Sequence, residues 1–181
     1  EKGGRKGGHY EKGPAAELSQ ILGRPTRNSI ALSVLCARDM ETFAEVGTTA
    51  GKYDFKTKMV SVKSGVPEVI EITGLKPDTR YHYRLNIRLP GQTEFHSGED
   101  YAFHTQRTPG HTFTFALQGD SHPERLGKMY HPDLYALTMR NVEQSRPDFY
   151  LTMGDDFSLD HLINRNMLTQ DAVDRIYAHQ R

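Results

Sequence analysis

Phe113-Thr114-Phe115-Ala116-Leu117-Gln118-Gly119-Asp120-Ser121-His122 decides the fold, together with its echo Asp148-Phe149-Tyr150-Leu151-Thr152-Met153-Gly154-Asp155-Asp156. Each is an apolar, β-branched or aromatic run that stops at Gly-Asp. A short apolar run closed by glycine reads as a buried strand. Between the two, Leu134, Tyr135, Leu137, Met139 and Val142 recur at helical spacing, with Pro132 and Asp133 suited to a first turn and Ser145-Arg146-Pro147 to a stop. The pattern predicts one βαβ unit with parallel strands. Parallel strands end on one edge, and ligands of open α/β sheets bind beyond the carboxyl ends of the strands. Asp120, His122 and Asp155 should therefore converge in one crevice.

Those three residue types suit a metal ion. Asp120-x-His122 places a carboxylate and an imidazole two residues apart as the chain leaves a strand, where alternate side chains point the same way. Oxygen and nitrogen donors of this kind suit Fe, Zn or Mn. Asp155 adds a second carboxylate nearby, and adjacent carboxylates repel unless a cation lies between them. Gly119 and Gly154 allow the sharp turn before each acid. Gly-Asp alone is also an ordinary turn or helix cap, so the reading rests on two copies, each after a strand.

Composition sets the outer bounds. The chain has 181 residues, 36% of them hydrophobic, and its 23 basic side chains balance 23 acidic ones. A neutral total gives no general attraction to nucleic acid, so no nucleic-acid partner is expected. No apolar run approaches the ~20 residues that span a bilayer. Cys36 is the sole cysteine, so no disulfide forms within the chain and the redox compartment stays open. Residue 1 is Glu rather than methionine, and no positively charged leader with an apolar region follows, which leaves localisation open.

Three segments are expected. Residues 1–13 hold five glycines among Lys2, Arg5, Lys6 and Lys12 and read as a flexible arm. Residues 14–108 carry short strands between turn residues and no helix. Ile30, Leu32 and Val34 alternate, and Phe43–Val46, Lys58–Val62 and Val69–Ile72 follow. Tyr81, Tyr83, Leu85 and Ile87 then face one way while Arg80, His82, Arg84 and Asn86 face the other, and Tyr101, Phe103 and Thr105 close the series. Strands at this spacing predict an antiparallel sandwich of ~100 residues. His82, His96 and His104 are expected on its exposed strand or loop positions, and Cys36 in its core. Residues 109–181 hold the βαβ unit, then a loop from Asp156 to a helix capped by Thr169, whose buried stripe is Ala172, Val173, Ile176 and Tyr177.

Gly74-Leu75-Lys76-Pro77-Asp78-Thr79-Arg80-Tyr81 resembles the Leu-x-Pro-x-Thr-x-Tyr corner of fibronectin type III domains, although the chain lacks the tryptophan usual in their cores. The Asp120-x-His122 and Gly154-Asp155 blocks resemble the calcineurin-like metallophosphoesterases, in which a preceding fibronectin-like domain is the arrangement of purple acid phosphatases. The resemblance implies a four-layer α/β/β/α catalytic domain, of which 109–181 would be the opening part. It implies hydrolysis of a phosphate ester by a hydroxide activated by two metal ions, with Asp120 and His122 on the first ion and Asp155 bridging both. It also implies an extracellular or periplasmic protein. The family's later Asn-His and histidine blocks do not occur here, so a partial site is expected, with weak metal binding and little turnover. Arg125 is a candidate phosphate contact, and Asp156, Asp160 and His161 are candidates for supporting or substrate contacts. Such a piece should expose apolar surface and self-associate.

Two other readings stay open. Gly119-Asp120-Ser121 after a strand also resembles the first block of SGNH (GDS-type) serine esterases, with Ser121 as nucleophile. Against it, Gly154-Asp155-Asp156 lacks that family's Asn and Asp160-His161 has the wrong spacing. The other is a non-enzymatic, fibronectin-like interaction module.

Overall fold

The computed structural model describes residues 18–122 and 130–180. It is mostly β-sheet with few helices, and its contacts divide it between Phe113 and Thr114 into two compact units. The expected arm at 1–13 lies outside the described residues.

The first unit is a two-sheet sandwich. One sheet runs β1 (Leu18–Gly23), β2 (Ser29–Cys36), β6 (Glu68–Thr73), all antiparallel. The other runs β4 (Phe55–Lys56), β3 (Met40–Gly47), β7 (Arg80–Arg88), β8 (His96–Ser97), with β5 (Val60–Val62) on β3 and β9 (Tyr101–His104) on β7. Alternation aims Leu32, Val34 and Ile72 of the first sheet and Ala44, Val46, Tyr83 and Leu85 of the second into one shared core. Cys36 belongs to that core, and burial pushes its thiol pKa up. Tyr81 is buried, and its hydroxyl accepts the Lys76 N–H at 2.9 Å, which closes the corner before β7.

The opposite face of the second sheet is charged but not idle. Arg84 Nε donates to Glu45 at 2.8 Å across the β3–β7 pair while its guanidinium lies over the Tyr53 ring, and Arg88 pairs with Glu41 in the same way over Phe95. His82 and His104 depart from the exposed positions expected of them. Both are half-buried, because acids claim them: His82 Nδ1 meets Asp100 at 2.8 Å, and His104 Nε2 faces Asp78 at 3.7 Å. The strands β1, β4 and β8 had no sequence signal strong enough to be expected; two of them are only two residues long.

In the second unit β10 (Phe115–Gln118) and β11 (Phe149–Thr152) pair in parallel, Phe115 opposite Phe149 and Gln118 opposite Thr152. Helix α1 (Pro132–Ser145) connects them. Pro132 starts it, and it ends at Arg146 in the left-handed region, since Pro147 disfavours a helical residue before it. The parallel βαβ unit is thus present. The expectation of buried strands is corrected: Phe115, Leu117, Phe149 and Leu151 are 42–50% exposed. A parallel sheet normally has both faces covered. Here, among the described residues, Ala116, Gln118 and Tyr150 on one face are half-buried while the other face lies open.

Helix α1 likewise has no buried residue, and Leu134 and Leu137 of its expected apolar side are exposed. The loop expected after Asp156 contains a short helix, α2 (Asp160–Asn164), which buries Leu162. Helix α3 (Gln170–Gln180) begins as expected, with Thr169 Oγ1 accepting the Ala172 N–H at 3.2 Å. Tyr177, expected in its buried stripe, is instead exposed, its ring edge-on to Phe157 at 4.7 Å.

Candidate metal site

The β10–β11 ladder ends at Gln118 and Thr152, and one more bond, Met153 N–H to Gln118 O at 2.9 Å, carries the pairing into the two loops. The register brings the residues after each strand side by side. Donor atoms of Asp120, His122 and Asp155 all lie within 4.8 Å of one another, a spacing from which one cation can be reached by all three. His122 is buried, and both aspartates are exposed. Two carboxylates and one imidazole form a hard-to-borderline donor set suited to Zn, Fe or Mn, so the residues fit a metal ion.

Seven described non-glycine residues take positive φ, Arg24, Asp78, Arg146 and Asn166 elsewhere and the three candidate ligands here. Asp120 (φ 22°), His122 (φ 44°) and Asp155 (φ 51°) are all in the positive-φ region, and Gly154 before the last stands at φ 104°. For residues other than glycine this is uncommon, and such strain gathers where geometry is functional. The Gly-Asp spelling accounts for Gly154, which has no neighbour near its Cβ position and is needed for φ alone. Nothing in the sequence announced the strain at the three candidate ligands, which are not glycines.

Around the triad, Ser121 is 7% exposed and its hydroxyl donates to the backbone oxygen of Asp156 at 3.0 Å. The hydroxyl that a serine esterase would use as nucleophile is therefore buried and engaged. Asp156 has a buried Oδ1 with no hydrogen-bond partner among the described residues. Its charge reaches Tyr150, whose hydroxyl donates to the Gln118 side chain; burial first, then Tyr135 and Asp156, push the Tyr150 pKa up to about 12. Asp160 opens α2 as an exposed residue and His161 follows it half-buried, and neither belongs to the triad. Arg125 lies outside the described residues. The hydrogen bond between Tyr150 and Gln118 joins residues 32 apart in the chain, and no short pattern in the sequence announces it.

No protein-family model matches this sequence, and none of the curated proteins matches it. Solved structures do resemble it. A structure of PhoD superposes with a TM-score of 0.55 at 16% identity over 79% of this chain and 28% of that one. Purple acid phosphatase PPD1 from yellow lupin (Lupinus luteus) seeds superposes with a TM-score of 0.56 at 18% identity over 81% of this chain and 30% of that one. The chain thus spans less than a third of either protein's length. At this identity the likeness speaks to the fold: the chain has a phosphoesterase-like fold and carries a candidate Asp-His-Asp metal site.

Proposed function

We propose that the protein to which this chain belongs hydrolyses phosphate esters at a metal centre, and that Asp120, His122 and Asp155 are ligands supplied by this chain. The observation that carries the reading is the convergence of those three donors at the adjoining ends of two parallel strands. The phosphoesterase-like fold supports it. In this proposal there are two ions, of Fe, Zn or Mn; Asp120 and His122 would hold the first, and Asp155 would be shared with the second.

When bound, the metal supplies a water acidified toward a pKa of ~7 and Lewis-acid stabilisation of charge on the phosphoryl oxygens. The chain's own residues prepare the place. Asp120 and Asp155 concentrate negative charge that favours a cation, and the strained loops hold their carboxylates beside the imidazole of buried His122. Asp156, Asp160, His161 and Arg125 stay candidates for supporting or substrate contacts, with Asp156 favoured by its orphaned buried oxygen. We assign the first unit, expected over residues 14–108 and bounded at Phe113 in the structure, as a fibronectin type III-like domain, a reading supported by its pairing of a three-stranded with a six-stranded antiparallel sheet and by the Tyr81 corner. An extracellular or periplasmic location follows from the family resemblance alone.

Equilibrium dialysis of residues 1–181 against Mn²⁺ or Zn²⁺ tests the reading. We expect measurable but weak binding that falls by ~10-fold or more in Asp155→Asn and in Asp120→Asn. Equal binding by wild type and both variants would sink it. Hydrolysis of p-nitrophenyl phosphate by this chain should be slight, because three donors leave each ion's shell incomplete; fast, chelator-sensitive turnover would overturn the expectation of a partial site.

A further inference from the structure

Three strained ligand positions in two separate loops need something to hold them, since positive-φ residues persist only where the surroundings over-determine them. The parallel ladder stops short of them, at Gln118 and Thr152. Past that point the hydroxyl of Ser121 reaches across to the backbone oxygen of Asp156, 3.0 Å away. Ser121 stands between Asp120 and His122, and Asp156 directly follows Asp155. The bond therefore joins the loop carrying two candidate ligands to the loop carrying the third, one residue from each of them. Ser121 is nearly as buried as His122. The bond itself is partly buried, and a hydrogen bond in such surroundings is a firmer spacer than a fully exposed one.

We propose that Ser121 is a positioning residue for metal binding, whose hydroxyl sets the spacing between the Asp120/His122 loop and the Asp155 loop. It touches no ion itself. The proposal rests on the reading of Asp120, His122 and Asp155 as metal ligands. Groups that orient ligands without touching the metal typically change metal affinity by ~10–100-fold when removed. Replacing the hydroxyl would let the loops separate and their backbones relax, so that the donors no longer stand at one distance from a common point.

Titration of residues 1–181 with Co²⁺, read by its visible ligand-field bands, tests this in wild type, Ser121→Ala, Ser121→Thr and Asp155→Asn. Ser121→Ala should bind ~10-fold or more weakly with shifted bands, and Ser121→Thr, which keeps a hydroxyl, should restore both affinity and spectrum. Co²⁺ binding by wild type that is lost in Asp155→Asn but unchanged in affinity and spectrum by Ser121→Ala would overturn the positioning role while leaving the metal reading intact. Equal weakening by Ala and Thr would assign the effect to packing at a buried position and overturn the role of the hydroxyl. No Co²⁺ bands in wild type would remove the metal reading and this proposal with it.

Discussion

The two units bury apolar side chains to very different degrees although both are read from clear apolar runs. In the sandwich, Leu32, Val34, Val46 and Ile72 are wholly inaccessible to solvent, drawn from two sheets that close on each other. In the unit from Thr114 onward, Leu162 is the buried hydrophobe among the described residues, and the strand side chains Phe115, Leu117, Phe149 and Leu151 line an open face. Stacked Phe115 and Phe149 rings, 5.3 Å apart, shelter each other there. Two sheets can bury their inner faces mutually. A two-stranded sheet by itself cannot.

The largest effect that would break this contrast is a core truncation. Leu32→Ala should destabilise the sandwich by about 2–5 kcal/mol, from lost transfer energy and the cavity left behind. Leu117→Ala, at a half-exposed site, should cost less than about 0.5 kcal/mol. Urea unfolding followed by Tyr fluorescence measures both, and similar costs would mean that the open face is covered. Sedimentation sharpens the same point: the wild type should associate with concentration, and Leu117→Lys together with Leu151→Lys should lessen that association.

A smaller effect belongs to the turn at the site. Gly154→Ala meets no steric neighbour, so its cost of about 1–2 kcal/mol would come from φ alone. It should also weaken Co²⁺ binding, because Asp155 is aimed by that turn. Gly23, whose backbone lies outside the positive-φ region and has equally open surroundings, is the control, and Gly23→Ala should be close to neutral.

The smallest effect is acid lability of the sandwich. A hydrogen bond from Lys63 holds the Asp39 carboxyl below its usual range, and one from the Tyr53 hydroxyl does the same for Asp100. Burial alone would raise Asp78, but the Thr108 N–H and His111 bring it down on balance. Carboxyls whose folded pKa lies below the unfolded value leave the unfolded chain with the greater proton affinity. The stability they contribute is complete above about pH 5 and is lost as pH falls through the folded values. Thermal melts at stepwise lower pH should therefore decline by a few degrees below pH 4, and Asp100→Asn should flatten that decline. An unchanged slope in the variant would remove Asp100 from the account.

How legible each region was follows from the range of its interactions. Alternation at Tyr81, Tyr83 and Leu85 is a local signal with a period of two, and β2, β3, β5, β6, β7 and β9 were readable from such runs, whereas β1, β4 and β8 were not. The helix after Pro132 and the cap at Thr169 are local too. The exposure of Leu134, Leu137 and Tyr177 was not legible, because an apolar face in sequence does not state what stands opposite it. The pairing of His82 with Asp100 joins residues 18 apart in the chain, and no short pattern encodes it.

By itself the sequence determined the kinds of atoms at the site and the strands that deliver them. Asp120, His122 and Asp155 follow apolar runs that end in glycine, and strand periodicity with the sharp turn glycine allows places them at one sheet edge. Tertiary structure decided that their donors come within 4.8 Å, that all three take positive φ, and that Ser121 ties one loop to the other across 35 residues. Periodicity is set by neighbours in the chain, whereas the distance between two loops is set by the register of two strands and the bonds that continue it, which exist only once the chain has folded.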